Sequence, residues 1–214
     1  MMGGRSEDVS PSGKRRFRRP LGLRIIGGEF KGRRLQYSGD WSVRPMRDRV
    51  REAVFNILRE AIPGSVVLDI FAGTGAMGLE ALSRGASFAY FIEKDPVACQ
   101  FLRKNVSHLG VNDRAEIIPA DVFLWWKHHT TFATQPHVAF CCPPYELYSD
   151  APDAMRDLIT GLMRELPSDS VVVVEAHDRY DFSQLPFPER WDVRTYRPSR
   201  IGFFWKESSG DDAA

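Results

Sequence analysis

The chain has 214 residues, of which 43% are hydrophobic and 27% are charged, values typical of a soluble globular protein of about one domain. No apolar run reaches the roughly 18 to 20 residues that cross a bilayer, and the charged N-terminus lacks the apolar core of a signal peptide. We therefore predict a cytoplasmic protein without a membrane segment. The three cysteines form no C-x-x-C pair, which argues against a zinc site or a disulfide framework.

Charge is distributed unevenly along the chain, although the net charge is only +1. Residues 1–60 hold 15 Lys and Arg against 7 Asp and Glu, a net charge of +8, and the remainder therefore carries a net charge of −7. A basic N-terminal quarter is typical of proteins that bind polyanions such as RNA. A solubilising tail followed by a solvated helix face would produce the same asymmetry.

The first 62 residues predict a tail and a small extension. Residues 1–20 are rich in Gly, Ser, Pro and Arg and predict a disordered basic tail, in which 14–19 is an auxiliary RNA-binding arm. Within 21–62, two short apolar segments around Gly27-Gly28 indicate a hairpin, and "RDRVREAVFNILREA" indicates a helix. The apolar residues of this helix are Val50, Ala53, Val54, Ile57, Leu58 and Ala61, and the arginines assigned to its opposite face are Arg47, Arg49 and Arg51.

The pattern changes after Pro63-Gly64. Five apolar runs alternate with helical segments, and the sequence "WDVRTYRPSRIGFFWKE" predicts a closing β-hairpin. The runs are "SVVLDIF", "FAYFIE", "AEIIPA", "HVAFCC" and "SVVVVEAH". Continuous apolar strands indicate a sheet that helices cover on both faces, so 63–207 predicts a doubly wound α/β domain, followed by a disordered tail at 208–214.

A glycine-rich turn, "LDIFAGTGAMGLEAL", follows the first predicted strand of this domain. Gly73-x-Gly75-x-x-Gly78 satisfies the dinucleotide-binding pattern, and Glu93 ends the next strand where a ribose-binding acid belongs, so an NAD-linked enzyme is one interpretation. Asp69 favours another ligand, because a carboxylate before the turn would repel a pyrophosphate. It suits the ammonium and sulfonium groups of S-adenosyl-L-methionine.

The fourth predicted strand ends in "CCPPY", a cysteine pair followed by two prolines and a tyrosine. Small buried residues that close a strand would explain Cys141 and Cys142, since free cysteine is usually buried. In pyrimidine C5 methyltransferases that act on RNA, the cysteine nucleophile is expected after the proline. Cys141 and Cys142 precede the prolines, which argues against such a nucleophile here.

Five segments occur in one order with consistent spacing, and together they resemble the RsmD family of ribosomal RNA methyltransferases. They are "LRIIGGEFKGRRL", "RPMRDRVREAVFNIL", "VLDIFAGTGAMGLEALSRGA", "FIEKD" and "CPPY", within 23–207. The resemblance implies a class I, Rossmann-like methyltransferase fold, with a seven-stranded sheet in which the last hairpin makes one strand antiparallel. It also implies transfer of a methyl group from S-adenosyl-L-methionine to the exocyclic N2 of a guanine in small-subunit (16S) ribosomal RNA.

The resemblance assigns roles to individual residues. Glu93 would bind the two ribose hydroxyls of the cofactor, and Asp121 would accept from its adenine amino group, unless it only caps the next helix. The methionine part and the ribose would be cradled by Asp69, Phe71, Gly73, Thr74 and Gly75. The catalytic loop would comprise Cys142, Pro143, Pro144 and Tyr145, and the substrate-binding arginines would be Arg44, Arg47, Arg49 and Arg51. The expected partner is small-subunit rRNA or its assembling particle, bound by a monomer.

Two positions depart from the family pattern. Cys142 stands where an aspartate is usual, and Met46-Arg47 replaces a pair of threonines. A thiol accepts hydrogen bonds weakly, and losing a charge-assisted bond costs about 1.5–3 kcal/mol, or about 10- to 150-fold in rate if the transition state bears it all. Two alternatives therefore stay open beside the NAD-linked enzyme: a catalytically impaired RNA-binding homologue, and a methyltransferase of the same fold with another target, such as adenine N6 or a protein amide.

Overall fold

The computed structural model describes residues 22–37, 45–128 and 132–207. The predicted tails at 1–20 and 208–214, with the arm at 14–19, lie outside the described residues, as does Arg44. No helix in the described part of the chain is long and apolar enough to cross a membrane.

Seven strands form one sheet in the order β3-β2-β1-β4-β5-β7-β6. Their bounds are β1 (Val66–Ile70), β2 (Phe88–Ile92), β3 (Ala115–Ile118), β4 (His137–Cys141), β5 (Val171–His177), β6 (Trp191–Tyr196) and β7 (Ser199–Trp205). Strands β1 to β5 run parallel, and β7 runs antiparallel to both of its neighbours. The prediction of a doubly wound sheet with one antiparallel strand is confirmed.

Helices cover both faces of this sheet. Their bounds are α1 (Asp48–Ile57), α2 (Ala76–Ser83), α3 (Pro96–Leu109), α4 (Val122–His128), α5 (Leu147–Asp150) and α6 (Pro152–Glu165). Phe55, Leu79 and Leu102 lie in the hydrophobic core on one face, and Leu158 and Leu162 of α6 lie in the core on the other. The strand order reverses between β1 and β4, and at such a point the carboxyl ends of parallel strands leave a crevice for a ligand.

The N-terminal extension forms a small hairpin and then α1. Its two arms meet at an antiparallel bridge between Arg24 and Arg34, so the predicted hairpin is present in a short form. Ile25 and Phe30 are buried in the same core cluster as Phe55. Because the extension and the sheet share this core, the division into 21–62 and 63–207 stays a prediction.

Glu80 of α2 holds the hairpin against the sheet domain. Its carboxylate is fully buried and accepts hydrogen bonds from the backbone N–H groups of Ile26 (2.7 Å) and Gly27 (2.8 Å) and from Nε of Arg84 (2.8 Å). Ser83, one turn further along α2, accepts from the N–H of Phe30 at 2.9 Å. Two polar side chains on one helix face thus accept hydrogen bonds from three buried or partly buried N–H groups of the hairpin.

Arg51 lies on the buried side of α1, so the prediction that it shares the outer face with Arg47 and Arg49 is wrong. Its side chain is fully buried, its guanidinium donates to the carbonyl groups of Met46 and Arg24, and its Nε lies 3.8 Å from Glu80. Burial lowers the pKa of the Arg51 guanidinium, although the charges of Glu80 and Asp48 oppose this shift. Helix α1 also ends at Ile57, earlier than the predicted Ala61.

We expect Glu80→Gln to lower the free energy of unfolding by about 3–5 kcal/mol, because the change removes the buried carboxylate that lies beside the guanidinium groups of Arg51 and Arg84. The amide nitrogen would also face a hairpin N–H that needs an acceptor. Chemical denaturation measures the effect. Glu60→Gln is the matched control, since the Glu60 side chain is 86% exposed, and its stability should equal that of the wild type. Equal stability of the two variants would contradict the assigned role of Glu80.

Candidate cofactor and substrate site

A cavity of about 670 Å³ opens at the carboxyl ends of the central strands. It is lined by most of the predicted site residues, namely Arg47, Asp69, Phe71, Gly73, Thr74, Glu93, Asp121, Cys142, Pro143, Pro144 and Tyr145. Gly75 and Arg49 lie outside this lining, and Arg51 is buried in the fold. The structure therefore brings the glycine-rich turn and the Pro-Pro loop together in the lining of one cavity.

The glycine-rich turn has a backbone that few side chains allow. Gly73 and Gly75 have φ angles of 54° and 77°, and Gly75 is the N-cap of α2. A Cβ on Gly75 would overlap Leu102 of α3, so this glycine is required by helix packing. Phe71 adopts a φ of 66°, which strains a residue that has a side chain and marks the turn as a functional feature.

Glu93 connects the end of β2 to the glycine-rich turn. One carboxylate oxygen accepts from the N–H of Gly73 (2.7 Å), and the other accepts from the N–H of Asp95 (2.8 Å). An ionised carboxylate offers about four acceptor positions, so these two bonds leave room for both hydroxyls of a ribose. The backbone bonds also fix the direction of the carboxylate before any ligand binds.

Asp121 caps α4, which was one of the two roles predicted for it. Its Oδ1 accepts from the N–H groups of Phe123 (3.0 Å) and Leu124 (3.3 Å), and its Oδ2 lies 3.3 Å from Nζ of Lys94. The same carboxylate also lines the cavity. A cap and a ligand contact are therefore compatible at this position, and contact with adenine stays a prediction.

Asp69 is the buried acid of the site, with 2% of its surface exposed. Burial raises the pKa of this carboxyl to about 8, although the N–H of Gly78, 2.9 Å from Oδ2, partly opposes the shift. The negative charge of Glu93 adds to the rise. A cation bound in the cavity would favour the ionised form of Asp69 and offset the cost of burying it.

Cys142 follows β4 and lines the cavity with a thiol, which is a weak hydrogen-bond acceptor. Burial raises its pKa well above the ordinary value, and the carboxylates of Glu175 and Asp69 add to the shift. A thiolate is therefore disfavoured at neutral pH, which also argues against a cysteine nucleophile.

Tyr145 is fixed by hydrogen bonds that the sequence did not reveal. Its hydroxyl lies 3.0 Å from Oε1 of Glu175 and 2.7 Å from Oγ of Ser199. Both partners line the cavity, and sequence reasoning missed both. The available signal was the position of Glu175 near the carboxyl end of a buried strand, the edge where Asp69 and Glu93 were found.

Asn105 of α3 is a second residue that sequence reasoning missed. This buried amide exchanges hydrogen bonds with the backbone of Gln36, accepting at 2.7 Å and donating at 3.0 Å, and it donates to the carbonyl of Thr74 at 3.2 Å. One side chain thus joins the N-terminal extension to the glycine-rich turn.

Among the described residues, no three His, Cys, Asp or Glu side chains are placed to hold a metal ion. The sheet order, the glycine-rich turn after β1 and the Pro-Pro loop after β4 define a class I methyltransferase fold. The fold is shared with a Thermus thermophilus 16S rRNA N2 methyltransferase (RsmC) solved with AdoMet and guanosine, at a TM-score of 0.62 and 18% identity over 79% of this chain and 46% of that one.

The chain belongs to the family described as conserved hypothetical protein 95, whose model matches residues 23–204. It is 40% identical over 124 residues to ribosomal RNA small subunit methyltransferase D of Escherichia coli (strain K12), a match that covers 58% of this chain and 60% of that protein's length. The protein of the same name from Buchnera aphidicola subsp. Baizongia pistaciae is 36% identical over 181 residues, which is 83% of this chain and 87% of that protein. The predicted resemblance to the RsmD family is confirmed.

The raised pKa of Asp69 predicts a pH dependence of stability. Its folded pKa of about 8 exceeds the value of about 3.9 in an unfolded chain, so the folded state holds the proton more tightly. The free energy of unfolding should therefore fall as the pH rises from about 4 to about 8. We expect Asp69→Asn, which keeps an acceptor for Gly78, to match the wild type at about pH 4 and to exceed it by an amount that grows up to about pH 8. Denaturation across this range measures the difference.

The exposed Asp113 provides a matched control, since Asp113→Asn should follow the wild-type curve at every pH. Parallel curves for the wild type and Asp69→Asn would show that Asp69 ionises normally in the folded protein.

Proposed function

We propose that this protein transfers a methyl group from S-adenosyl-L-methionine to the exocyclic N2 of a guanine in small-subunit (16S) ribosomal RNA. The observation that carries the proposal is a cavity whose lining includes the buried Asp69, the half-buried Glu93 and the loop Pro143-Pro144-Tyr145. Relatives of this chain are named as small-subunit rRNA methyltransferases, which supports the same assignment.

The cofactor end of the cavity fits S-adenosyl-L-methionine. When bound, this cofactor supplies an electrophilic methyl group on a cationic sulfur. Asp69 would attract the cationic methionine part, Glu93 would accept from the ribose hydroxyls, and Asp121 would accept from the adenine amino group. The other residues proposed to cradle the cofactor are Phe71, Gly73 and Thr74, with Gly75 shaping the turn. The dinucleotide alternative is disfavoured, because relatives of this chain are named as methyltransferases.

The substrate end fits a base that has left the RNA stack. Pro143 and Pro144 lack N–H groups, so they stiffen the loop without competing for hydrogen-bond acceptors. The ring of Tyr145 offers a face on which a flipped base can stack, an interaction worth about 1–3 kcal/mol. Binding and orienting a weak nucleophile in this way lowers the barrier to methyl transfer.

Arg47 and Arg49 are the arginines of α1 that are available to RNA. Both are exposed, and Arg47 also lines the cavity, whereas Arg51 is buried in the fold. We propose phosphate contacts for Arg47 and Arg49, beside a guanine held in the cavity. We also propose that the protein acts as a monomer in the cytoplasm, on small-subunit rRNA or on its assembling particle.

Incubation with methyl-labelled S-adenosyl-L-methionine and under-methylated small ribosomal subunits tests the proposed function. After digestion of the RNA to nucleosides, we expect the label in N2-methylguanosine, because the cavity presents an amine-binding loop to a flipped base. Labelled N6-methyladenosine would support another target on the same fold. Absence of transfer under conditions in which the Escherichia coli relative is active would refute the proposal.

We expect Arg47→Ala and Arg49→Ala each to weaken RNA binding and to reduce the slope of log affinity against log salt by about 0.7–0.9 for each phosphate that the arginine neutralises. The physical reason is that a variant which neutralises one phosphate fewer displaces fewer counterions from the RNA. Filter binding at several salt concentrations measures the slope. Arg164→Ala is the matched control, since Arg164 is exposed on α6, against the other sheet face, and should keep the wild-type slope. Unchanged slopes in both α1 variants would contradict the assigned surface.

A further inference from the structure

Glu175 lies beside the position where the family pattern places an acidic residue. Strands β4 and β5 pair through Cys141 and Val174, so Cys142 and Glu175 are the next residues along the two parallel strands. Both line the cavity, and Glu175 is half-buried. A carboxylate is thus present next to the Pro-Pro loop, although the loop itself carries a thiol.

The Glu175 carboxylate is held in a defined direction. The hydroxyl groups of Tyr145 and Ser199 lie 3.0 Å and 2.9 Å from its Oε1, and the two hydroxyl oxygens lie 2.7 Å apart. Tyr145 belongs to the loop after β4 and Ser199 begins β7, so partners from two sides position this side chain. The residue proposed to stack on the base is therefore tied directly to the carboxylate.

The other acids that line the cavity are the exposed Glu146, the helix cap Asp95 and three acids that we propose for its cofactor end. Asp69 accepts from the N–H of Gly78, and Glu93 accepts from backbone groups of the glycine-rich turn and of Asp95. Asp121 caps α4. Glu175 is distinguished from these three by its contact with the Pro-Pro-Tyr loop.

Guanine chemistry matches a carboxylate at this place. The Watson–Crick edge of guanine presents two adjacent donors, N1–H and the N2 amino group, whereas adenine presents an acceptor beside its amino group. An ionised carboxylate donates nothing and offers about four acceptor positions. The hydroxyls of Tyr145 and Ser199 use those of Oε1, so Oε2 can accept from both guanine donors. It would select guanine over adenine, since an acceptor that faces an acceptor is left unsatisfied.

We propose that Glu175 accepts the N1–H and N2–H groups of the target guanine and is the hydrogen-bond and proton acceptor that Cys142 cannot be. This assignment rests on the proposed function. As the bond between N2 and the methyl carbon forms, the bond from that carbon to sulfur breaks and its electron pair stays on sulfur. The amine gains a positive charge and releases one proton, which Glu175 takes before passing it to water. The product is a neutral methylamino group.

The test compares Glu175→Gln with the wild type. Glutamine keeps an oxygen for the hydroxyls of Tyr145 and Ser199, but it presents an N–H₂ group to the guanine donors. We expect kcat/KM for rRNA methylation to fall about 10- to 150-fold, the range for losing a charge-assisted hydrogen bond in the transition state. The affinity for S-adenosyl-L-homocysteine and the melting temperature should be unchanged. Glu116→Gln, an exposed strand residue outside the cavity, is the matched control.

Cys142→Asp provides a second variant. Because Glu175 already supplies an acceptor, we expect the added aspartate to raise kcat/KM by no more than about threefold, less than the tenfold lower bound for one charge-assisted hydrogen bond. A larger gain would show that the native site lacks an acceptor and would overturn the inference. A value of kcat/KM for Glu175→Gln within about twofold of the wild type would overturn it as well, while leaving the proposed function intact.

Nucleoside binding separates failure of this inference from failure of the proposed function. With S-adenosyl-L-homocysteine present, NMR shift titrations should show tighter binding of guanosine than of inosine, which lacks the N2 amine. Glu175→Gln should abolish this preference. If the wild type does not methylate rRNA but shows the preference, the proposed rRNA substrate fails and the role of Glu175 stands. If the wild type has no such preference, the role of Glu175 is refuted.

Discussion

The buried carboxylate of Glu80 is the constraint that places the N-terminal extension over the site. Helix α2 is buried on every side, and Glu80 is the single ionisable residue in its sequence "AMGLEALS". Two hairpin N–H groups and two arginines converge on this side chain. Helix α2 begins at the glycine-rich turn, and Arg51, which lies beside Glu80, donates to the carbonyl of Met46 in the cavity lining. A change at Glu80 would therefore be transmitted to the site.

Asp69 ties the other end of α2 to the sheet through the N–H of Gly78. Helix α2 is thus held by one buried acid toward the hairpin and by another toward the cavity. Their electrostatics differ in kind. Glu80 lies beside two arginines, whereas among the described residues Asp69 accepts from the backbone of Gly78 and is disfavoured as an anion by burial and by the charge of Glu93. Glu80 is neutralised within the fold. Burial makes the ionised form of Asp69 unfavourable, and a cationic ligand would offset that free-energy cost. The fold therefore favours binding of a cation at this site.

Local sequence patterns predicted the seven strands, the glycine-rich turn and the Pro-Pro loop, because each depends on hydrophobic periodicity or on turn residues close together in the chain. They failed where a polar side chain finds its partner far away. Arg51 carries the charge of a surface residue, yet Glu80, 29 positions further on, makes its burial tolerable. The signal for this pair was a lone glutamate in an apolar helix. Asn105 and Glu175 were missed for the same reason, since their partners lie on other elements of the fold.

The Pro-Pro loop after β4 forms one part of the proposed substrate site, and the neighbouring end of β5 forms the other. In a parallel sheet, the residues that follow paired positions on β4 and β5 emerge side by side, so an oxygen acceptor can be supplied from either strand. A sequence motif includes only the residues that follow β4, so on the motif alone Cys142 indicates an impaired site. The contacts of Tyr145 with Glu175 and Ser199 show that the loop is already connected to its neighbours across the sheet. On the proposed assignment, Glu175 of β5 places an acceptor oxygen near the position where the family has the aspartate that precedes Pro-Pro. The side chain of Cys142 then needs only to be small, so that it leaves room for the Glu175 carboxylate.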